Sequence, residues 1–164
     1  MADGSDGPGR STFVVPSAVP WAGLALAAGG LAISVYLTIV HYSTSVTLAC
    51  TTSGVVNCEK VTTSPESRFL GAPVPLFGLA FFALMLVANL PALWRRDEPW
   101  IRYGRLALAA GGVVFVLYLV YAELFRIDAI CLWCSAVHVI TGLLFGLVCF
   151  GTALGESDPD AASN

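Results

Sequence analysis

The stretch Ile130-Cys-Leu-Trp-Cys-Ser-Ala-Val-His-Val-Ile-Thr-Gly-Leu-Leu-Phe-Gly-Leu-Val-Cys-Phe150 contains no Asp, Glu, Lys or Arg. A helix needs about 20 largely apolar residues to cross the roughly 30 Å hydrocarbon core of a bilayer, and this stretch meets that length. Its first turn carries a Cys-x-x-Cys pair, Cys131 and Cys134. A membrane-crossing helix is therefore expected to begin on a dithiol, which places any thiol chemistry at one edge of a membrane.

Three other stretches pass the same test: Trp21 to Val40, Pro75 to Trp94 and Leu106 to Leu124. The 164-residue chain is 57% hydrophobic and 12% charged, against roughly 45 to 50% and 25% in soluble domains. Four spans and one sizeable loop predict an all-α membrane protein, a four-transmembrane-helix bundle without a separate soluble domain. The expected division is a disordered cytoplasmic tail over residues 1–18, the bundle over 19–154 and a second cytoplasmic tail over 155–164. Within the bundle the spans lie at about 21–40, 75–94, 106–124 and 130–150, with an outer loop over 42–73. The first span exceeds a signal-peptide core and lacks a clear cleavage site, so it reads as a retained helix.

Basic residues set the expected orientation. Arg95, Arg96, Arg102 and Arg105 fall in the turn between spans two and three, and Arg10 precedes span one. Only Lys60, Arg68 and Arg126 fall on the other side. The positive-inside rule then puts both termini in the cytoplasm and the loop 42–73 outside. Trp21, Trp94, Trp100, Tyr42 and Trp133 stand near span ends, where amphipathic rings anchor at an interface. Leu24-Ala-Leu-Ala-Ala-Gly-Gly30 recurs as Leu106-Ala-Leu-Ala-Ala-Gly-Gly112. The repeat fits a duplicated helix pair, or simply the small residues that let membrane helices approach closely. Gly142 and Gly146 form another such pair.

On this topology Cys50, Cys58, Cys131 and Cys134 all face the oxidising side, where disulfides persist. Thiol-disulfide chemistry, a static staple and a zinc tetrad are each compatible with four such cysteines. The helix N-terminus favours the thiolate at the Cys-x-x-Cys pair and thus a redox role. For Cys50 and Cys58 a loop staple competes with a redox pair. Cys149 lies about 22 Å further along the last helix and cannot join them. His138, one turn below Cys134, is an intramembrane ionisable group and so a functional candidate. Ser64 is a candidate donor in the loop; Glu123 and Arg126 are spaced for a structural i,i+3 pair. A membrane-edge dithiol needs a diffusible two-electron acceptor, for which a lipid quinone is suited. Phe77, Phe81, Trp133, Tyr118 and Tyr121 are the aromatic residues able to line its pocket.

Cys50, Cys58-Glu-Lys-Val-Thr-Thr-Ser64, Gly71-Ala-Pro-Val-Pro-Leu-Phe-Gly78 and Cys131-Leu-Trp-Cys134, with four spans, give the chain a specific signature over roughly residues 20–150. In these features it resembles the vitamin K epoxide reductase family, in the form of a bacterial-type homologue without a fused thioredoxin-like domain. The resemblance implies a four-helix bundle around a quinone, capped by a partly helical extracytoplasmic loop. It implies a membrane thiol:quinone oxidoreductase that reoxidises a separate thioredoxin-like extracytoplasmic protein and supports disulfide formation. The lipid quinone, menaquinone or a relative, is the substrate, and no metal, nucleotide or nucleic acid is called for. Carried over, Cys50 accepts electrons from the partner, Cys58 relays them to Cys131, and Cys134 stands next to the quinone, with Ser64 near the active site. The vertebrate enzymes have a tyrosine where His138 stands and an asparagine where Val74 stands. The expected reaction is therefore quinone reduction rather than vertebrate-type epoxide reduction. The rival expectations are a non-enzymatic tetraspan scaffold with structural disulfides and a metal-binding membrane protein.

Overall fold

A computed structural model describes residues 16–43, 48–50, 53–96 and 98–155. The two tails expected at 1–18 and 155–164 lie almost wholly outside these residues, as does Arg10. Helix α1 spans Ala18–Tyr42. The loop after it folds into a short helix α2, Cys58–Thr63, a single 3-10 turn, Pro65–Ser67, and a two-stranded hairpin of β1, Arg68–Phe69, and β2, Ala72–Pro73. Helix α3 spans Val74–Ala88, α4 Pro91–Trp94 and α5 Pro99–Ala122, followed by a π-turn over Glu123–Ile127 and by α6, Leu132–Gly155. The loop is thus partly helical, as the family resemblance implies.

Helices α1, α5 with its π-turn, and α6 are long and apolar enough to cross a membrane. The second expected span is not one continuous helix. Helix α3 has 15 residues, about 22 Å at 1.5 Å per residue. Pro91 has no N–H to donate and its ring clashes with the carbonyl four residues back, so the helix must stop before it. Asn89 takes the cap position and donates from Nδ2 to the Met85 carbonyl at 2.9 Å. Helix α5 begins earlier than expected, at Pro99, because proline suits a first helical turn. Arg102 and Arg105 therefore lie in a helix rather than in a turn.

Small residues set the packing of α3 between its neighbours. Nothing in lipid drives helices together by burial alone, so close approach and dispersion contacts carry the association. Gly30 of α1 faces the Phe82 ring, and Gly112 of α5 faces the Phe81 ring. These glycines occupy equivalent places in the repeated Leu-Ala-Leu-Ala-Ala-Gly-Gly segment, so each copy offers a flat site to one of two adjacent phenylalanines. Phe82, Met85, Ala27, Ala109, Leu144 and Val148 are completely buried and form the main core. A Cβ at Gly142 or Gly146 would meet nothing within 4 Å among the described residues, so that pair forms no seam with them.

The end of the bundle away from the cysteines is fastened by Arg105. Its guanidinium lies 3.4 Å from the Trp94 ring centroid, and Nη1 donates to the Ala88 carbonyl at 3.1 Å, which the ending of α3 leaves without a helical partner. Trp94 is consequently buried, not an interfacial anchor, whereas Trp21, Trp100 and Tyr42 are well exposed.

Candidate active site

Four fastenings hold the loop over the start of α6. Ile130, the residue before Cys131, donates to the Val55 carbonyl at 2.9 Å and accepts from the Asn57 N–H at 3.0 Å. This bridge sets the residue preceding Cys58 beside the residue preceding Cys131. Asn57 Oδ1 then accepts from the Lys60 N–H at 2.9 Å and so caps α2, which starts at Cys58. Both backbone groups of Ala49, next to Cys50, are clamped: its N–H donates to the Tyr36 hydroxyl at 2.9 Å, and its carbonyl accepts from Trp133 Nε1 at 2.8 Å. The Tyr36 and Trp133 rings meet at 4.9 Å. Lys60 Nζ donates to the Asp128 carbonyl at 3.3 Å, and Arg126 pairs with Glu66 at 3.5 Å.

These ties bring the four expected cysteines together. Cys50 and Cys58 are joined by a disulfide with Cα atoms 6.1 Å apart, while Cys131, Cys134 and Cys149 are free thiols. Cys58 and Cys131 are both fully buried and share one cluster with Val61, Ile127 and Ala129, against which Cys50 and Cys134 also pack. Helix α6 starts at Leu132, not Ile130, so Cys131 stands at its cap. Cys131 Sγ accepts from the Cys134 backbone N–H at 3.3 Å, as a capping side chain does for the third N–H of a helix. The Cys134 thiol also bonds to the Cys131 sulfur and, with that N–H, holds the Cys131 thiol below its ordinary range, against burial and the Glu123 charge. Hydrogen bonds that favour the thiolate have this effect.

Beneath the loop lies a cavity of about 960 Å³ between α1, α3, α5 and α6, at the upper end of the size of small-molecule sites. Cys50, Cys58, Cys134, His138, Ser64 and Phe77 all line it. Cys131 does not, so Cys134 is the Cys-x-x-Cys thiol that faces the cavity. The Ser64 hydroxyl donates to the Val61 carbonyl at 2.8 Å and caps the end of α2. Three expected lining residues stand elsewhere: Tyr121 is exposed and stacks on Phe125 at 5.2 Å, and the other two are Trp133 and Tyr118. Trp133 is turned to Ala49 and clamps the loop. Tyr118 is half exposed and reaches the wall only through Phe69 and Phe115, at 5.8 and 6.2 Å between ring centroids. Phe69 closes the hairpin onto Phe77 and Phe115 at 5.5 and 5.3 Å. Its tip turns at Leu70 and Gly71, both with positive φ, a turn that suits the second residue and strains the first.

The sequence model of the vitamin K epoxide reductase family matches residues 21–149. This chain belongs to the vitamin K epoxide reductase family. No curated protein matches it closely enough to count as a relative. Family membership, with three apolar helices of spanning length, makes it a membrane thiol oxidoreductase of a family that uses quinone and works with thioredoxin-like partners.

Two residues of the site carry more than their sequence context suggests. Tyr36 is, by sequence, one more aromatic of α1, yet it holds the Cys50 segment. Glu123 does not pair with Arg126, which is taken by Glu66. The π-turn instead buries it, 6% exposed, facing the Cys131 N–H and the Cys134 thiol. An extra residue in a helical turn rotates the residues beyond it, and such bulges recur at functional sites. Helical spacing alone gave no sign of it.

Proposed function

We propose that this family member is a thiol:quinone oxidoreductase that reoxidises an extracytoplasmic thioredoxin-like protein and reduces a lipid quinone in the cavity beside Cys134. In this reading α3 with α4 is the second of four spans, both termini are cytoplasmic, and the cysteine end faces outward.

The observation that carries it is the graded burial of four cysteine sulfurs, one disulfide and two thiols. Cys50 is partly accessible, so it is the disulfide sulfur an incoming partner thiolate attacks. Cys58 and Cys131 are buried together away from solvent, Cys58 against the cavity wall and Cys131 behind it. Cys134 opens onto an apolar cavity. The partner's dithiol becomes a disulfide as Cys50 and Cys58 are reduced, and exchange then passes the electron pair to a Cys131–Cys134 disulfide. In the last step the Cys131–Cys134 dithiol is oxidised to a disulfide, and its two electrons and two protons leave on the quinone as quinol. Each exchange obeys the rules of thiolate attack. His138, Ser64 and Phe77 line the chamber and would orient the quinone. A scaffold whose disulfides tie the loop to α6 fits less well, because the loop pair is bonded within itself and the Cys-x-x-Cys thiols are free.

The test is quinone reduction by the purified full chain supplied with a reduced thioredoxin-like protein. Cys134→Ala should abolish turnover while still allowing reduction of the loop disulfide. Unchanged turnover in that variant would sink the mechanism.

A further inference from the structure

We propose that Glu123 is the catalytic base that takes the proton from the Cys134 thiol when the Cys-x-x-Cys pair is oxidised. This rests on the thiol:quinone reading above and adds to it the route of one proton.

Four observations place Glu123 there. It is one of few buried charged residues, and it faces the Cys134 thiol as well as the Cys131 N–H. It also lines the cavity, together with Cys134 and His138. Among the described residues no cation forms an ion pair with it. Arg126 is engaged with Glu66, and Lys60 with the Asp128 carbonyl. A carboxylate buried without a cation is costly unless it is hydrogen-bonded, and the groups it meets are a peptide N–H and a reacting thiol. Besides the Cys131 N–H, the titratable or charged groups that share the cavity wall with Glu123 are Cys134 and His138 from α6, Glu59 from α2, Glu66 and Arg68 from the loop, and His41 from α1.

Protons and electrons balance across the step. The Glu123 carboxylate accepts the Cys134 proton, leaving the thiolate. As the Cys131–Cys134 disulfide forms, two electrons pass to the quinone. The proton held on Glu123 and the one from Cys131 go to the two quinol oxygens, so Glu123 begins the next cycle as a carboxylate. A merely structural role, capping the Cys131 N–H, needs only an oxygen acceptor. Glutamine supplies that acceptor and cannot take the proton.

The experiment is single-turnover reduction of a short-chain quinone by the reduced full chain in micelles, for wild type, Glu123→Gln and Glu123→Asp. E123Q should slow the quinone step by about 100-fold or more, the lower end of general-base contributions, and E123D should recover most of it. Reduction of the Cys50–Cys58 disulfide by dithiothreitol, which precedes Cys134, should stay within about threefold in all three. Wild type should lose rate as pH falls and the carboxylate protonates. E123Q should gain rate only through the ordinary thiol range near about 8.5. Wild-type protein alone supplies a second check: with the proton in flight, the quinone step slows about twofold or more in D2O. Wild-type kinetics in E123Q, or no isotope effect in wild type, overturns the proposal while leaving the thiol:quinone reading standing. A wild-type protein that does not reduce quinone overturns both.

Discussion

Replacing Gly30 with alanine should destabilise the protein, whereas the same replacement one residue earlier, at Gly29, should not. An ideal Cβ at Gly30 would clash with the edge of the Phe82 ring, while at Gly29 it would meet nothing within 4 Å among the described residues. Phe82 is wholly buried and packed against Ala27, Met85 and Leu144, so its ring has nowhere to retreat without off-rotamer strain. Overpacking of this kind costs about 1–3 kcal/mol. Both substitutions gain up to about 0.5–1 kcal/mol from replacing glycine within a helix. That gain is an upper figure here, since membrane helices are already helical before they pack. G30A should therefore lose about 2 kcal/mol and G29A should lie between neutral and slightly more stable. The assay is unfolding of each variant in mixed micelles, followed by helicity and by access of Cys149 to alkylation. The pair G30A/Phe82→Leu should be less destabilised than the two single changes summed, by about 1 kcal/mol or more, because the smaller side chain makes room for the new methyl. Equal stability of G30A and G29A would refute the glycine-to-ring packing of α1 on α3.

Three further outcomes are expected at the site and at the far end of the bundle. Trp133→Phe keeps the ring but removes the donor to the Ala49 carbonyl, so the Cys50–Cys58 segment should loosen and its disulfide should reduce several-fold faster with a small thiol. The Cys131 thiol is held low first by the Cys134 thiol. Cys134→Ala removes that donor, so the pH midpoint of thiolate absorbance should rise; a midpoint that stays or falls contradicts the assignment. Arg105→Leu strands the Ala88 carbonyl and unstacks Trp94, at a cost of about 1–3 kcal/mol for the unmade hydrogen bond. Its unfolding transition should shift accordingly, with quinone reduction per folded molecule unchanged.

How far the chain discloses itself depends on the range of the interaction concerned. Apolar length alone locates α1, α5 and α6, since lipid demands that every backbone group be paired within its own helix. Proline punctuation explains the start of α3 and also its end. Yet Pro91 sits inside an unbroken apolar run, and hydropathy passes over it. The cysteines are legible from their spacing. The meeting of Cys58 with Cys131 is not, because it depends on the Ile130 bridge between Val55 and Asn57, a backbone pairing with no side-chain signature. Trp133 and Tyr118 illustrate the same limit: aromatic character is visible in a sequence, but whether a ring faces a cavity is decided by partners far along the chain. Glu123 was hidden by a single residue of helical register.

The proposed relay would also give each fastening a purpose. A relay between two cysteine pairs fails if the pairs drift apart, and it short-circuits if the buried thiols meet solvent or if the cavity thiol meets the partner directly. Trp133 belongs to the Cys-x-x-Cys segment and yet holds the carbonyl next to Cys50, so the two pairs are tied through the segment that carries one of them. The Ile130 bridge fixes Cys58 to Cys131 by backbone alone, leaving both sulfurs free to exchange partners without disturbing the tie. Helix α6 then begins at the buried thiol, and its first turn spends the Cys134 N–H on the Cys131 sulfur. Thiolate character is thus built at the internal sulfur, where in the proposed relay it would serve exchange with Cys58, while Cys50 stays partly exposed. The path runs from exposure to burial to an apolar chamber, and a change at any one fastening should slow the specific exchange it aligns before it unfolds the protein.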